Sequence, residues 1–209
     1  MTSVRVVRSR LGDARLHVDR AHRPVATLAL GHGAGRGIDA PDLVALAAAL
    51  PRQGITVFRL EQPWAVAGHR VAPAPAALDE ATVDCVNAIR VRTPIVLGGR
   101  SAGARVACRL ADSLGAVGCL ALAFPLHPPG RPERSRAGEL AGVRVPTLVV
   151  QGERDPFGGP AEFPEDVDLT VIPDANHTFA VPKRAALDRQ QTLGLIVEAV
   201  VEWVTLRVA

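Results

Sequence analysis

Short apolar runs that each stop on glycine, proline or an acidic residue recur along this chain, and alanine- and leucine-rich stretches lie between them. VATLAL (25–30), ITVFRLE (55–61), PIVLGG (94–99), AVGCLALAF (116–124), PTLVVQG (146–152) and VDLTVIP (167–173) read as strands, because branched apolar side chains suit a pleated, buried surface. A strand that is apolar along its whole length is covered on both faces, which is the condition of a parallel sheet between layers of helices. The intervening stretches predict helices over about 41–52, 76–91, 102–113 and 183–206, and residues 4–8 and 14–19 predict an opening hairpin. The expected fold class is therefore α/β, with a mostly parallel central sheet and helices on both faces. A length of 209 residues supplies one substantial core, so residues 1–209 read as a single domain. Two irregular stretches, 63–76 and 125–142, fall at C-terminal strand edges, where open α/β sheets hold ligands; they are candidate pocket walls or plain connections.

Composition narrows the class of partner. Twenty-four basic residues against 21 acidic give a net charge of only +3, and the arginines are scattered rather than gathered into a stripe. Nucleic-acid binding is not expected, since neither a basic patch nor a recognition module is visible. Cys85, Cys108 and Cys119 show no C-x-x-C spacing and leave one thiol over in any pairing, which fits core cysteines in a reducing compartment. The opening MTSVRVVRSR has no apolar leader and no run is long enough to span a bilayer, so the expectation is a cytoplasmic protein without a membrane partner.

Within this frame the stretch Gly98-Gly99-Arg100-Ser101-Ala102-Gly103-Ala104-Arg105 stands between a predicted strand and a predicted helix. Gly99-x-Ser101-x-Gly103 fits the turn that lifts a nucleophilic serine above a sheet, where only glycine at the flanking positions avoids the packed strand and helix. A serine hydroxyl is too weakly acidic to attack an ester unaided, so a base and an orienting carboxylate must follow. Past the strand at 146–152 comes Glu153-Arg154-Asp155, and past the strand at 167–173 comes Asp174-Ala175-Asn176-His177. Asp155, at the turn into DPFGG, is the better acid; Glu153 lies nearer the strand and suits a structural pair with an arginine, and Asp174 is too close in sequence to His177. The candidate catalytic set is Ser101, Asp155 and His177. The candidate oxyanion donors are the backbone amides of Ala102 and of Ala34, the latter preferred to Gly33 in the loop Gly31-His32-Gly33-Ala34-Gly35, with His32 bracing that loop.

The same loop permits another reading. GHGAGRGIDA follows a strand and precedes a helix, and the register Gly35-Arg36-Gly37 with Ala40 matches a dinucleotide fingerprint in letters, with Glu61 as a possible ribose acid. That oxidoreductase reading leaves Ser101, Asp155 and His177 without a role. No G-K-[ST] follows a glycine run, so a phosphate loop is not expected.

With these residues in place, the blocks GHGAG, GGRSAGAR, FPLHPPG, QGERDPFG and DANHTF, spread over residues 31–179, resemble the α/β-hydrolase superfamily. They are most similar to its small, lidless branch related to dienelactone hydrolases, and within it to the group of testis-expressed protein 30 and a chromatin-complex subunit 3. The resemblance implies an α/β-hydrolase fold with little or no lid and a Ser101–His177–Asp155 triad. Dienelactone hydrolases usually carry a cysteine where Ser101 stands, so their particular reaction does not transfer. Some relatives serve as interaction subunits, which leaves a non-catalytic binding module on the same fold as an alternative. The expected chemistry is hydrolysis of a small carboxylic ester or thioester through an acyl-enzyme, with no cofactor and no metal. Three further expectations are that His127 hydrogen-bonds within its loop, that Trp64 either lines the entrance or packs on a helix, and that Arg100 pairs with Glu61 beside the serine.

Overall fold

A computed structural model describes residues 2–35 and 37–208, so Arg36 of the alternative glycine register lies outside the described residues. Eight strands form one sheet: β1 (Ser3–Ser9), β2 (Gly12–Asp19), β3 (Ala26–Gly31), β4 (Ile55–Glu61), β5 (Ile95–Arg100), β6 (Gly118–Leu122), β7 (Thr147–Gly152) and β8 (Asp168–Ile172). Their spatial order is β1-β2-β4-β3-β5-β6-β7-β8. The β1–β2 and β2–β4 pairings are antiparallel and all others parallel. The helices are α1 (Pro41–Ala49), α2 (Pro63–Val66), α3 (Pro75–Ala88), α4 (Ala102–Leu110), α5 (Ala137–Ala141) and α6 (Arg189–Arg207).

The period-2 alternation of each strand sorts its side chains into two cores. Leu28, Leu30, Val96, Leu120, Leu122, Leu148 and Val150 face α1 and α6, whose Leu43, Leu46, Ile196, Val200 and Trp203 complete that layer. Ala29, Leu97, Cys119, Ala121 and Val149 face the opposite way, onto Cys85 and Val86 of α3 and Ala104, Ala107 and Cys108 of α4. The α/β fold read from the apolar runs is thus the fold observed. Between β6 and β7 the chain adds only a 3-10 turn at Pro132–Arg134 and the five-residue α5, with no lid subdomain among the described residues.

Two stretches differ from the sequence reading. Residues 183–188 are not helical: α6 begins at Arg189, where Asp188 caps it by accepting from the Gln191 amide at 2.8 Å while Gln191 bonds back to the Asp188 amide. The proline-rich stretch 63–76 is not irregular throughout, since Pro63 opens the one-turn α2 and Pro75 opens α3, both at the helix start where proline is pre-organised.

Candidate active site

Four parallel strands deliver the site to one edge of the sheet. Gly31 of β3 pairs with Gly99 of β5, and these two strand ends lie directly beneath the turn that carries Ser101. Ser101 sits at φ 54° and ψ −112°, a strained conformation for a residue with a side chain, and its amide donates to the Leu122 carbonyl at 2.9 Å. The strain is imposed by close packing. A Cβ on Gly103 would lie 2.5 Å from the Gly31 carbonyl oxygen and 2.9 Å from that of His32, and a Cβ on Gly99 would run into the backbone of Gly103. Both flanking glycines are therefore needed for α4 to rest on β3 and β5.

The carboxylate and the imidazole come from the next strand ends. Asp155 follows β7 and His177 follows β8, and Gly152 lets the two loops touch, because a Cβ there would lie 2.5 Å from the Ala175 carbonyl oxygen. The Arg154 amide donates to that same oxygen at 2.8 Å. Asn176 ties down the histidine loop: its Oδ1 accepts from the Thr178 amide and hydroxyl, each at 2.8 Å.

The three predicted side chains meet. Ser101 Oγ is 2.9 Å from His177 Nε2, and His177 Nδ1 is 2.7 Å from Asp155 Oδ2. The Asp155 side chain is fully enclosed, and its charge is met by three donors: His177 Nδ1, Gln151 Nε2 on Oδ2 at 2.9 Å, and the Phe157 amide on Oδ1 at 2.8 Å. Gln151 Nε2 also faces the carbonyls of Gly158 and Phe124, and these acceptors set the orientation of its amide. The Phe157 ring lies over the imidazole, with centroids 4.2 Å apart. For the neutral imidazole this chain selects one tautomer, with Nδ1–H donating to the carboxylate and Nε2 free to accept from the serine hydroxyl.

On the other side of Ser101 the loop after β3 closes in. A Cβ on Gly33 would come 3.2 Å from Ser101 Cβ, so Gly33 packs on the serine and Ala34 follows it in an exposed turn. Ala102 is the first residue of α4, and the N–H groups of a helix's first turn have no partner within the helix. His32 spans the loop: its Nε2 accepts from the Gln62 amide at 3.1 Å, which leaves Nδ1–H to donate to the Gly33 carbonyl at 2.8 Å. Burial pushes the His32 imidazole below its ordinary pKa, with the Gly33 carbonyl and Glu61 opposing, so the ring serves as a neutral strut. Trp64 tilts against His32 at a centroid distance of 5.4 Å and, with Leu11, Pro63, Ala67 and Pro73, lines a cavity of about 250 Å³.

Glu153 bonds the Asp174 amide at 2.7 Å rather than an arginine, and Asp174 lies 3.4 Å from Arg154. His127 is a hydrogen-bonder within the loops, with its ring nitrogens on the Pro128 carbonyl at 2.9 Å and on Glu162 at 2.8 Å. The expected Arg100–Glu61 pair does not form. β3 lies between β4 and β5, so the two strand ends are separated by two sheet spacings, roughly 10 Å. Glu61 instead meets His17 at 2.9 Å and Arg15, its register partner on β2, at 3.6 Å. Arg100 pairs with Asp42 of α1 at 3.3 Å. Asp42, Gln151 and Phe157 are the site residues that the sequence reading missed. The available signal was a lone polar residue in an apolar setting: aspartate in PDLVALAAA and glutamine in TLVVQG.

Residues 24–205 match the model of the alpha/beta hydrolase domain family, and the chain belongs to that family. Solved structures repeat the fold over nearly the whole chain. A lidless α/β serine hydrolase from Xanthomonas campestris is 21% identical with a TM-score of 0.74, over 97% of this chain and 94% of that one. An alpha-beta serine hydrolase homologue from Coxiella burnetii is 17% identical with a TM-score of 0.75, over 95% and 98%. A dienelactone hydrolase from Anabaena variabilis is 15% identical with a TM-score of 0.75, over 100% and 99%. Among the described residues no helix is long and apolar enough to cross a membrane, and no group of three or more His, Cys, Asp or Glu side chains is arranged to hold a metal ion.

Proposed function

We propose that residues 1–209 act as one serine hydrolase domain that cleaves a small carboxylic ester or thioester through an acyl-enzyme. The observation that carries this reading is the continuous hydroxyl–imidazole–carboxylate chain, 2.9 Å and then 2.7 Å, at the edge where the parallel strands end. As Ser101 Oγ attacks the carbonyl carbon, its proton passes to His177 Nε2, and Asp155 holds the Nδ1 tautomer and favours the imidazolium that forms. The carbonyl oxygen becomes an oxyanion facing the amides of Ala102 and Ala34, with the N-terminus of α4 adding its positive end. His177 then returns the proton to the leaving alcohol or thiol, the carbon–oxygen or carbon–sulfur bond breaks, and water repeats the attack through the same base. No step draws on a metal or an organic cofactor. The absence of a lid subdomain among the described residues favours small soluble substrates, and the three buried free thiols fit the reducing environment of the cytoplasm.

Replacing Ser101→Ala should lower kcat/KM for a p-nitrophenyl acyl ester by at least about a thousandfold, with the fold intact by circular dichroism. Turnover that survives the change would remove Ser101 from the mechanism.

A further inference from the structure

His177 is gripped from a second side, through its backbone. Arg100 is the last residue of β5, its side chain is only 6% exposed, and its Nη2 donates to the His177 carbonyl oxygen at 2.7 Å. Its Nε lies 3.3 Å from Asp42 Oδ2 on the first turn of α1, where the carboxyl side chain is 1% exposed. Its Nη1 lies against Gly33, where a Cβ would approach to 3.1 Å. One guanidinium thus touches the histidine loop, the loop beside Ser101 and α1.

An arginine does not shed its charge on burial, so it needs a compensating anion close by. Asp42 is the acidic side chain at ion-pair distance from Arg100 among the described residues, and their 3.3 Å contact lacks hydrogen-bond geometry. Its interaction with the site is therefore one of charge. Burial pushes the Asp42 carboxyl above its ordinary range, opposed first by Arg100 and then by the Asp42 and Leu43 amides and by His177. A buried ion pair of this kind adds little to stability, and its charge acts on the groups beside it.

We propose that Arg100 and Asp42 are positioning residues for the hydrolysis: Arg100 fixes the His177 backbone beside Ser101, and Asp42 cancels the guanidinium charge that would otherwise oppose the imidazolium. The proposal rests on the reading of His177 as the base. The groups that face His177 are Asp155 from the loop after β7, Ser101 at the β5–α4 turn, Arg100 from β5 and, through Arg100, Asp42 from α1. With Asp42 neutralised, the imidazolium is left with the Arg100 cation uncompensated, and His177 holds its proton less tightly.

The test is an NMR titration of the His177 ring in the wild type and in Asp42→Asn, which preserves shape and removes one charge. The His177 midpoint should fall by about half a unit or more, roughly a threefold loss of proton affinity. The acid limb of the kcat/KM profile for a p-nitrophenyl ester should move the same way, with kcat reduced and KM unchanged. The double change Arg100→Met with Asp42→Leu removes both charges. It should return the midpoint toward the wild-type value while kcat stays low, because the His177 carbonyl has lost its donor. A folded Asp42→Asn protein with an unmoved His177 midpoint would overturn the proposal. The titration needs no substrate, so a wild type that hydrolyses nothing would count against the hydrolase reading alone.

Discussion

Gly103 lacks a side chain because the backbone of β3 occupies the place where one would go, and this single contact shows how tightly Ser101 is built into the fold. A Cβ at that position meets the Gly31 carbonyl oxygen at 2.5 Å, and a backbone oxygen in a buried strand cannot swing aside as a side chain can. Gly103→Ala should therefore lower the stability by about 1–3 kcal/mol. Chemical denaturation measures this, and an unchanged midpoint would mean that α4 does not rest on β3 as described. At this scale the sequence was most readable where chemistry restricts residue type, as in Gly99-x-Ser101-x-Gly103, Asp155 and His177. Asp42 stood out only as an acid in an apolar run, and its partner could not be read in advance, because that partner is an arginine 58 positions away whose direction is set by the sheet order.

Between elements, the loops after β6 and β7 are joined by His127 and Glu162. The His127 ring faces acceptors at both nitrogens, the Pro128 carbonyl and the Glu162 carboxylate, and these raise its pKa in that order. Glu162 is held below its ordinary range first by the Gly159 amide and then by His127. A raised histidine contributes stability that is fully present below its unfolded value, about 6.5, and is lost as pH rises through the folded one. A lowered carboxylate contributes stability present above about 4.3 and lost as pH falls through its folded value. The pair is therefore strongest between these limits. Glu162→Gln should lower Tm most near pH 5–6 and least above pH 8, as differential scanning fluorimetry across pH would show. A Tm difference that does not vary with pH would exclude the ion pair. Element boundaries followed the same logic of legibility. ITVFRLE gave β4 residue for residue, whereas the start of α6 was misplaced by six residues because VPKRAALD has helical composition and the stop signal lay in the Asp188–Gln191 cap.

Across the whole molecule, one consequence of parallel pairing organises the site. Strands that run the same way end on the same side, so residues that follow β5, β7 and β8 gather at one edge although Ser101 and His177 are 76 positions apart. That convergence was legible, since it needs only the succession of apolar runs and their glycine ends. The interleaving of β3 between β4 and β5 was not, because chain order does not state spatial order, and the Arg100–Glu61 expectation failed on that point. The central claim is that His177, oriented by Asp155, activates Ser101. Labelling with a fluorophosphonate probe, followed by peptide mapping, tests it most directly: the account predicts one adduct, on Ser101, that is lost or greatly slowed in His177→Ala. Folded wild-type protein that takes no label at Ser101, or a His177→Ala protein labelled there at the wild-type rate, would contradict it.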